Sequence, residues 1–265
     1  MADDVMTRRG ALGAAAAGAA MLGGTQAMAQ TRKTFVLVHG AWHGGWCWRR
    51  VADILEGHGH KVYAQSLTGN GDRSHLLSKD INLDTHITDI VNLVTWEDLH
   101  DICLVAHSYG GWPSSGALEH IHDRVAAIVW LDAFKPNNGE KSTDSASEFS
   151  RKALEEAIAK GEAGRKSPPA KAFSTREQDY AWIESKLTLQ PNGVAVQLIV
   201  LTGKRETIAK KTYIRASKYP QPAFDKALAE CQADKTWQTI VNPDTGHDVM
   251  IDQPQWLADV LLKAS

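Results

Sequence analysis

The chain has 265 residues, 43% of them apolar, and a formal net charge of −2. That length makes one sizeable α/β core with room for a small insertion, and the near-neutral charge excludes the basic face that a nucleic-acid partner requires. The three cysteines are odd in number, fit no metal-ligand spacing and lay out no disulfide framework; Cys103 reads as a small buried hydrophobe.

Residues 1–29 read as an export signal rather than as part of the fold. Thr7-Arg8-Arg9 precedes the Ala/Gly-rich stretch Ala11–Gly24, and Ala27-Met28-Ala29 is a small-x-small cleavage site. Met6 is an alternative start. The paired arginines point to twin-arginine export, which would deliver a domain over 30–265 to a bacterial periplasm or outside the cell. The apolar stretch is too short and too glycine-rich for a stable membrane span.

Thr34–Val38 is a continuous apolar run, as expected of a central parallel strand. The loop Ala41–Trp46 follows, then a helix over roughly Cys47–His58, closed by glycines. Trp42, Trp46 and Trp48 crowd this region and suggest an aromatic-lined pocket as readily as plain packing. Lys61–Gln65 is a second strand. Asp84–Trp96 is a helix, with Ile87, Ile90, Val91 and Val94 on one face.

Asp101–Ala106 reads as a buried strand and Gly110–Ile121 as a helix. Between them stands Ala106-His107-Ser108-Tyr109-Gly110. A serine on a sharp strand-to-helix turn, with small residues two positions away on either side, has the form of a nucleophile elbow. Val125–Leu131 is the next buried strand. Strands alternating with helices at short intervals give a mostly parallel sheet flanked by helices.

The rhythm breaks after Asp132. Residues 135–195 are polar and helix-rich, with helices expected over Glu148–Lys160 and Glu177–Leu187 around the Ser167-Pro168-Pro169 break. This segment reads as a helical lid inserted into the core. Thr212–Ala216 resumes the strands, Pro222–Cys231 is a helix, and Trp237–Val241 is the last strand. His247 lies in the loop Asn242–Asp248, ahead of a closing helix over Gln253–Lys263.

The run from Phe35 to Trp48, the elbow Ala106–Gly111 and the pair Gly246-His247 resemble the α/β-hydrolase superfamily over nearly all of the chain beyond the export signal. The first block is most similar to the branch of plant methyl esterases and hydroxynitrile lyases and their small bacterial esterase relatives. The resemblance implies an α/β-hydrolase fold with a helical lid inserted after the strand ending at Asp132. It implies Ser108 as nucleophile and His247 as its base, and acyl transfer without metal or organic cofactor.

Two backbone N–H groups must meet the developing oxyanion. One is expected from Tyr109, directly after the nucleophile. The resemblance puts the other at Ala41, with Trp42 as the neighbouring alternative. In the plant esterases the acid follows the strand corresponding to Thr212–Ala216. Here that stretch continues Ser217-Lys218-Tyr219-Pro220, without a carboxylate, whereas the strand before the lid ends in Leu131-Asp132-Ala133. Loss at one place and gain at the other favour Asp132 over a loop-capping role, and over Asp225 and Asp248.

The substrate is expected to be a small-molecule ester, largely apolar, with amides, carbamates and lactones behind. Trp42, His107 and Trp182 are taken as substrate-binding, although His107, at the strand end, is equally a packing residue turned away from the serine. Phe149, Phe173 and Tyr180 share the choice between pocket and packing. His39 and His43 stand four apart, but they lack a carboxylate partner in the sequence and are read as structural or pocket residues, not metal ligands.

Two rivals remain. A hydroxynitrile lyase of this branch carries a threonine in place of Gly40 and a lysine after the catalytic histidine, where this chain has Asp248, whose charge would repel departing cyanide. A non-catalytic ligand-binding relative would not need both Ser108 and His247. The sequence does not set the oligomeric state.

Overall fold

The apolar runs become the strands of one sheet, because helices with complementary apolar stripes cover both of its faces. The computed structural model describes residues 32–265, so the export signal expected over 1–29 lies outside the described residues. In chain order the strands are β1 (Thr34–Val38), β2 (Lys61–Tyr63), β3 (Ile102–His107), β4 (Val125–Leu131), β5 (Gly164–Arg165), β6 (Gln190–Pro191), β7 (Lys210–Ala216) and β8 (Trp237–Asn242). Six of them form a sheet in the order β2-β1-β3-β4-β7-β8, with every neighbouring pair parallel.

The helices are α1 (Arg49–Gly57), α2 (Leu83–Trp96), α3 (Gly111–Ile121), α4 (Glu148–Ala159), α5 (Tyr180–Lys186), α6 (Pro222–Ala233), α7 (Val249–Asp252) and α8 (Pro254–Ala264). Side chains alternate across the strands, so two cores form. Val36, Val38, Leu104, Ile128 and Tyr213 face α2, α3 and α6. Phe35, Leu37, Val105, Val129 and Ile214 face α1, α7 and α8. Each fully buried aliphatic side chain stabilises the fold by about 1.5–3 kcal/mol. All three cysteines are free and buried, and burial pushes the Cys103 thiol up to about 12.

Helix ends follow local chemistry. α2 begins one residue earlier than its apolar spacing suggested, because the Asn82 side chain accepts a hydrogen bond from the Thr85 N–H at 3.0 Å. The closing helix expected over Gln253–Lys263 is α8, started by Pro254, and the short α7 precedes it as an added turn. The expected helix over 177–187 is α only from Tyr180, its first turn being a 3-10 turn.

The segment between β4 and β7 holds α4, α5 and an antiparallel ladder of β5 with β6 that no sequence pattern announced. Two-residue strands are too short to show a period. α4 is tied down mainly through Leu154, and Phe149 on the same helix is 83% exposed. Phe149 is therefore a surface residue rather than a pocket residue. No helix among the described residues is long and apolar enough to cross a membrane.

Strand register sets up the functional edge. Val38 pairs with Ala106, His107 with Leu131, and Leu131 with Ile214. The residues just beyond these carboxyl ends therefore emerge side by side: the Gly40–Trp42 loop, Ser108, Asp132 and the loop through Tyr219.

Candidate active site

β3 ends at His107 and the chain turns sharply at Ser108, whose φ of 54° is left-handed. Such a conformation is costly for a residue with a Cβ and persists only where the surroundings impose it. Trp42 and Asp132, at φ 65° and 44°, share this strain. A Cβ on Gly110 would lie 2.8 Å from the His39 carbonyl oxygen, so only glycine lets the elbow approach β1 this closely.

Two peptide units of the Gly40–Trp42 loop are fixed by histidines. Nδ1 of His39 donates to the Gly40 carbonyl at 2.7 Å, while its Nε2 accepts from the Leu67 N–H at 2.9 Å. Burial holds His39 down to about 3, so the ring stays neutral in this tautomer. Nδ1 of His43 donates to the Ala41 carbonyl at 2.8 Å, and the Trp42 N–H donates to Oε1 of Gln190 at 2.9 Å. The Trp42 amide is taken, whereas the Ala41 N–H meets no acceptor among the described residues. Tyr109 offers only its backbone: its buried hydroxyl donates to Nδ1 of His86 at 3.0 Å, and Nε2 of His86 donates to the Thr68 carbonyl at 2.8 Å.

Asp132 follows β4 and is fully buried. Its Oδ2 accepts from Nδ1 of His247 at 2.6 Å, and its Oδ1 accepts from Nη1 of Arg215 at 2.7 Å and from the Ala216 N–H at 3.0 Å. The His247 ring lies between aromatics, with Tyr219 stacked at 4.2 Å and 19°, Phe224 at 5.5 Å and 18°, and His107 tilted at 4.4 Å. Neither Arg215, Tyr219 nor Phe224 carried a sequence signal, because their value comes from a spatial neighbour rather than from a motif.

Ser108, His247, Ala41, Trp42 and His107 line one cavity of ≈20 Å³, together with Gly40, His43, Phe173 and Tyr219. That volume suits roughly one water molecule. Phe173 comes from the inserted segment and touches Trp42, His43 and His247. The cavity is smaller than an ester group.

The other sequence candidates fall elsewhere. Trp182 is not at the site; it packs edge-on against Trp46 at 5.1 Å and lies under the Arg50 guanidinium. Tyr180 packs against the second core. His107 borders the cavity, but its Nε2 donates to the His247 carbonyl at 3.1 Å, so it supports the histidine from behind. Burial, then the neighbouring His247 and His43, hold His107 well below the usual imidazole range.

Asp225 is exposed and pairs with Arg215, so it does not contact His247. Asp248 turns to Nε2 of His43 at 3.1 Å, both groups being buried. Both nitrogens of His43 thus face acceptors. Burial lowers its proton affinity, but the charge and hydrogen bond of Asp248 outweigh burial and raise it overall. His43 does have a carboxylate partner, then, one the sequence did not reveal. The charge of Asp248 is engaged there, and the case against a lyase moves to Gly40. A Cβ at that position would sit 2.8 Å from Cβ of Ser108 and 2.9 Å from Nδ1 of His107, leaving no space for a threonine.

Residues 35–260 match the model of the alpha/beta hydrolase family. A carbendazim hydrolyzing esterase of Nocardioides sp. is 33% identical over 241 residues, 86% of this chain and 97% of that protein. Methylesterase 4 of Arabidopsis thaliana is 38% identical over 108 residues, 40% of this chain and 41% of that one. Among solved structures, an extracellular alpha/beta-hydrolase from a Paenibacillus species superposes with a TM-score of 0.76 at 22% identity, covering 88% of this chain and 99% of the other, a likeness of fold.

Proposed function

The chain belongs to the alpha/beta hydrolase family and is a carboxylesterase-type hydrolase, and on that premise we propose that it cleaves small, largely apolar carboxylic esters through an acyl-enzyme on Ser108. The observation that carries this reading is the buried contact of Asp132 Oδ2 with His247 Nδ1 at 2.6 Å, at the cavity that His247 shares with Ser108. With Nδ1–H directed at the carboxylate, Nε2 is the basic nitrogen.

Ser108 Oγ attacks the ester carbonyl while His247 Nε2 takes the hydroxyl proton. Asp132 holds the ring in this tautomer and stabilises the imidazolium. The Ala41 and Tyr109 N–H groups meet the tetrahedral oxyanion. Collapse breaks the bond to the alcohol oxygen, which leaves with the proton from His247. Water, deprotonated by the same nitrogen, then releases the acid and restores Ser108. Every step uses groups of this chain, and none needs a metal or organic cofactor. A lyase reading is weaker, because the branch's threonine cannot be accommodated at position 40.

Apolar substrates fit the aromatic wall of Trp42, Phe173 and Tyr219. We assign residues 135–195 the role of a lid, supported by the placement of Phe173 over His247. Carbendazim is the second substrate to offer, on the strength of the Nocardioides relative. Residues 1–29 are proposed to export the protein through the twin-arginine route. Replacing Arg8 and Arg9 by lysine is expected to leave the protein in the cytoplasmic fraction; unchanged export of that variant would refute this.

Mass spectrometry of the protein quenched during turnover of a slow ester tests the acyl-enzyme. The expected adduct is on the peptide containing Ser108, and an adduct elsewhere contradicts the mechanism.

A further inference from the structure

We propose that Arg215 is a positioning residue for the reaction, holding His247 in place through two separate contacts. The inference rests on the Ser108–His247–Asp132 reading. Arg215 projects from β7 and its side chain is 4% exposed. Nη1 donates to Oδ1 of Asp132 at 2.7 Å and Nη2 to the Tyr219 carbonyl at 2.7 Å. Asp132 grips the edge of the His247 ring, and the Tyr219 ring covers its face. One guanidinium thus sets both the acid and the aromatic wall against the base.

The remaining donors hold the guanidinium itself. Nε donates to Oδ1 of Asp225 at 2.8 Å, and Nη1 also donates to the Ala216 carbonyl at 2.6 Å. The planar fork reaches four acceptors in fixed directions, which a lysine ammonium on a flexible stem does not reproduce. The arrangement also explains how Asp132 can serve at this place. A fully buried carboxylate with one oxygen on His247 needs its other oxygen satisfied, and Arg215 and the Ala216 N–H supply those bonds.

Arg215 also places a permanent cation on the side of Asp132 away from His247. The other titratable groups around it are Asp225 on α6, the Tyr213 and Tyr219 hydroxyls, His107 on β3, and the mutually engaged His43 and Asp248. Among these, Arg215 is the cation in direct contact with Asp132.

The test compares Arg215→Lys, Arg215→Met and His247→Ala in the full chain with p-nitrophenyl acetate, measuring kcat, KM and the melting temperature. Both Arg215 variants are expected to lose about 10- to 100-fold in kcat, with KM changing far less, because the base is misplaced. If the methionine variant does not fold, the kcat of the lysine variant decides. A folded variant with wild-type kcat, or one whose loss falls on KM rather than on kcat, overturns the inference. Should His247→Ala remain active, the triad reading falls and this inference with it. Loss of activity in His247→Ala beside wild-type kcat in the Arg215 variants overturns this inference alone.

Discussion

Asp132 Oδ2 stands 2.6 Å from Nδ1 of His247, although the two residues are 115 positions apart in the chain. The contact joins the end of β4 to the loop after β8. It makes Asp132→Asn the most informative conservative change. The amide would present a donor where Nδ1–H needs an acceptor, forcing the wrong tautomer. A fall of roughly ten-thousand-fold in kcat is expected, with KM nearly unchanged and the fold intact by circular dichroism. A variant within an order of magnitude of wild type would remove Asp132 from the mechanism.

Phe173 closes a cavity of only ≈20 Å³ around Ser108. Phe173→Ala is expected to raise kcat/KM for esters with bulky acyl groups relative to acetate by about tenfold, since a large buried side chain gives way to space. The same change removes packing and should lower stability by about 3–5 kcal/mol. An unchanged acyl-chain preference would mean that substrate enters by another route.

Gly40 packs against the elbow, so Gly40→Thr should cost activity without creating a lyase. Its Cβ alone would come within 2.8 Å of Ser108 Cβ. Displacing the nucleophile or the Ala41 amide by a fraction of an ångström is expected to lower kcat by about 100-fold. Cyanide release from a cyanohydrin by this variant, measured colorimetrically, would contradict the reading.

Buried neutral histidines predict acid sensitivity of the fold. His39 is held down to about 3 and His86 to about 4 from an ordinary 6.5, in both cases foremost by burial. The unfolded chain takes up these protons below 6.5 while the native protein does not, so unfolding binds protons and stability falls as pH falls. Each ring contributes about 1.4 kcal/mol of loss per pH unit, in the window from 6.5 to its folded value. His43 acts oppositely. Its raised affinity stabilises the fold in acid, and that contribution fades as pH rises through its folded value. Urea midpoints should therefore drop steeply from neutral pH to about 5, and His39→Gln should flatten that slope. Equal slopes for wild type and variant would show that His39 protonates alike in both states.

Sequence alone made the scaffold legible where the pattern is local. Phe35–Val38 and Leu104–Ala106 are apolar on both faces, and a fully covered parallel strand has that composition. The sharp turn at Ser108 was legible because an elbow needs small residues at fixed offsets. The placing of Asp132 against His247 was legible from the exchange of a carboxylate between two strand ends. Arg215, Tyr219 and Phe224 were not, because Tyr219 and Phe224 meet His247, and Arg215 meets Asp132, only across the fold. The Asp248–His43 pair was hidden for the same reason, its members lying 205 positions apart. Trp182 failed as a pocket residue because an aromatic in an insertion packs on whatever apolar face is nearest, here Trp46. The β5–β6 ladder escaped notice because two residues carry no period.

Ser108→Ala removes the proposed nucleophile and nothing else. Hydrolysis of p-nitrophenyl acetate should fall by roughly a million-fold in kcat, leaving only what the Ala41 and Tyr109 amides and binding contribute. The melting temperature should stay near wild type, since alanine keeps the Cβ and removes only the hydroxyl at the same left-handed turn. Ester hydrolysis that survives in this variant would contradict the account.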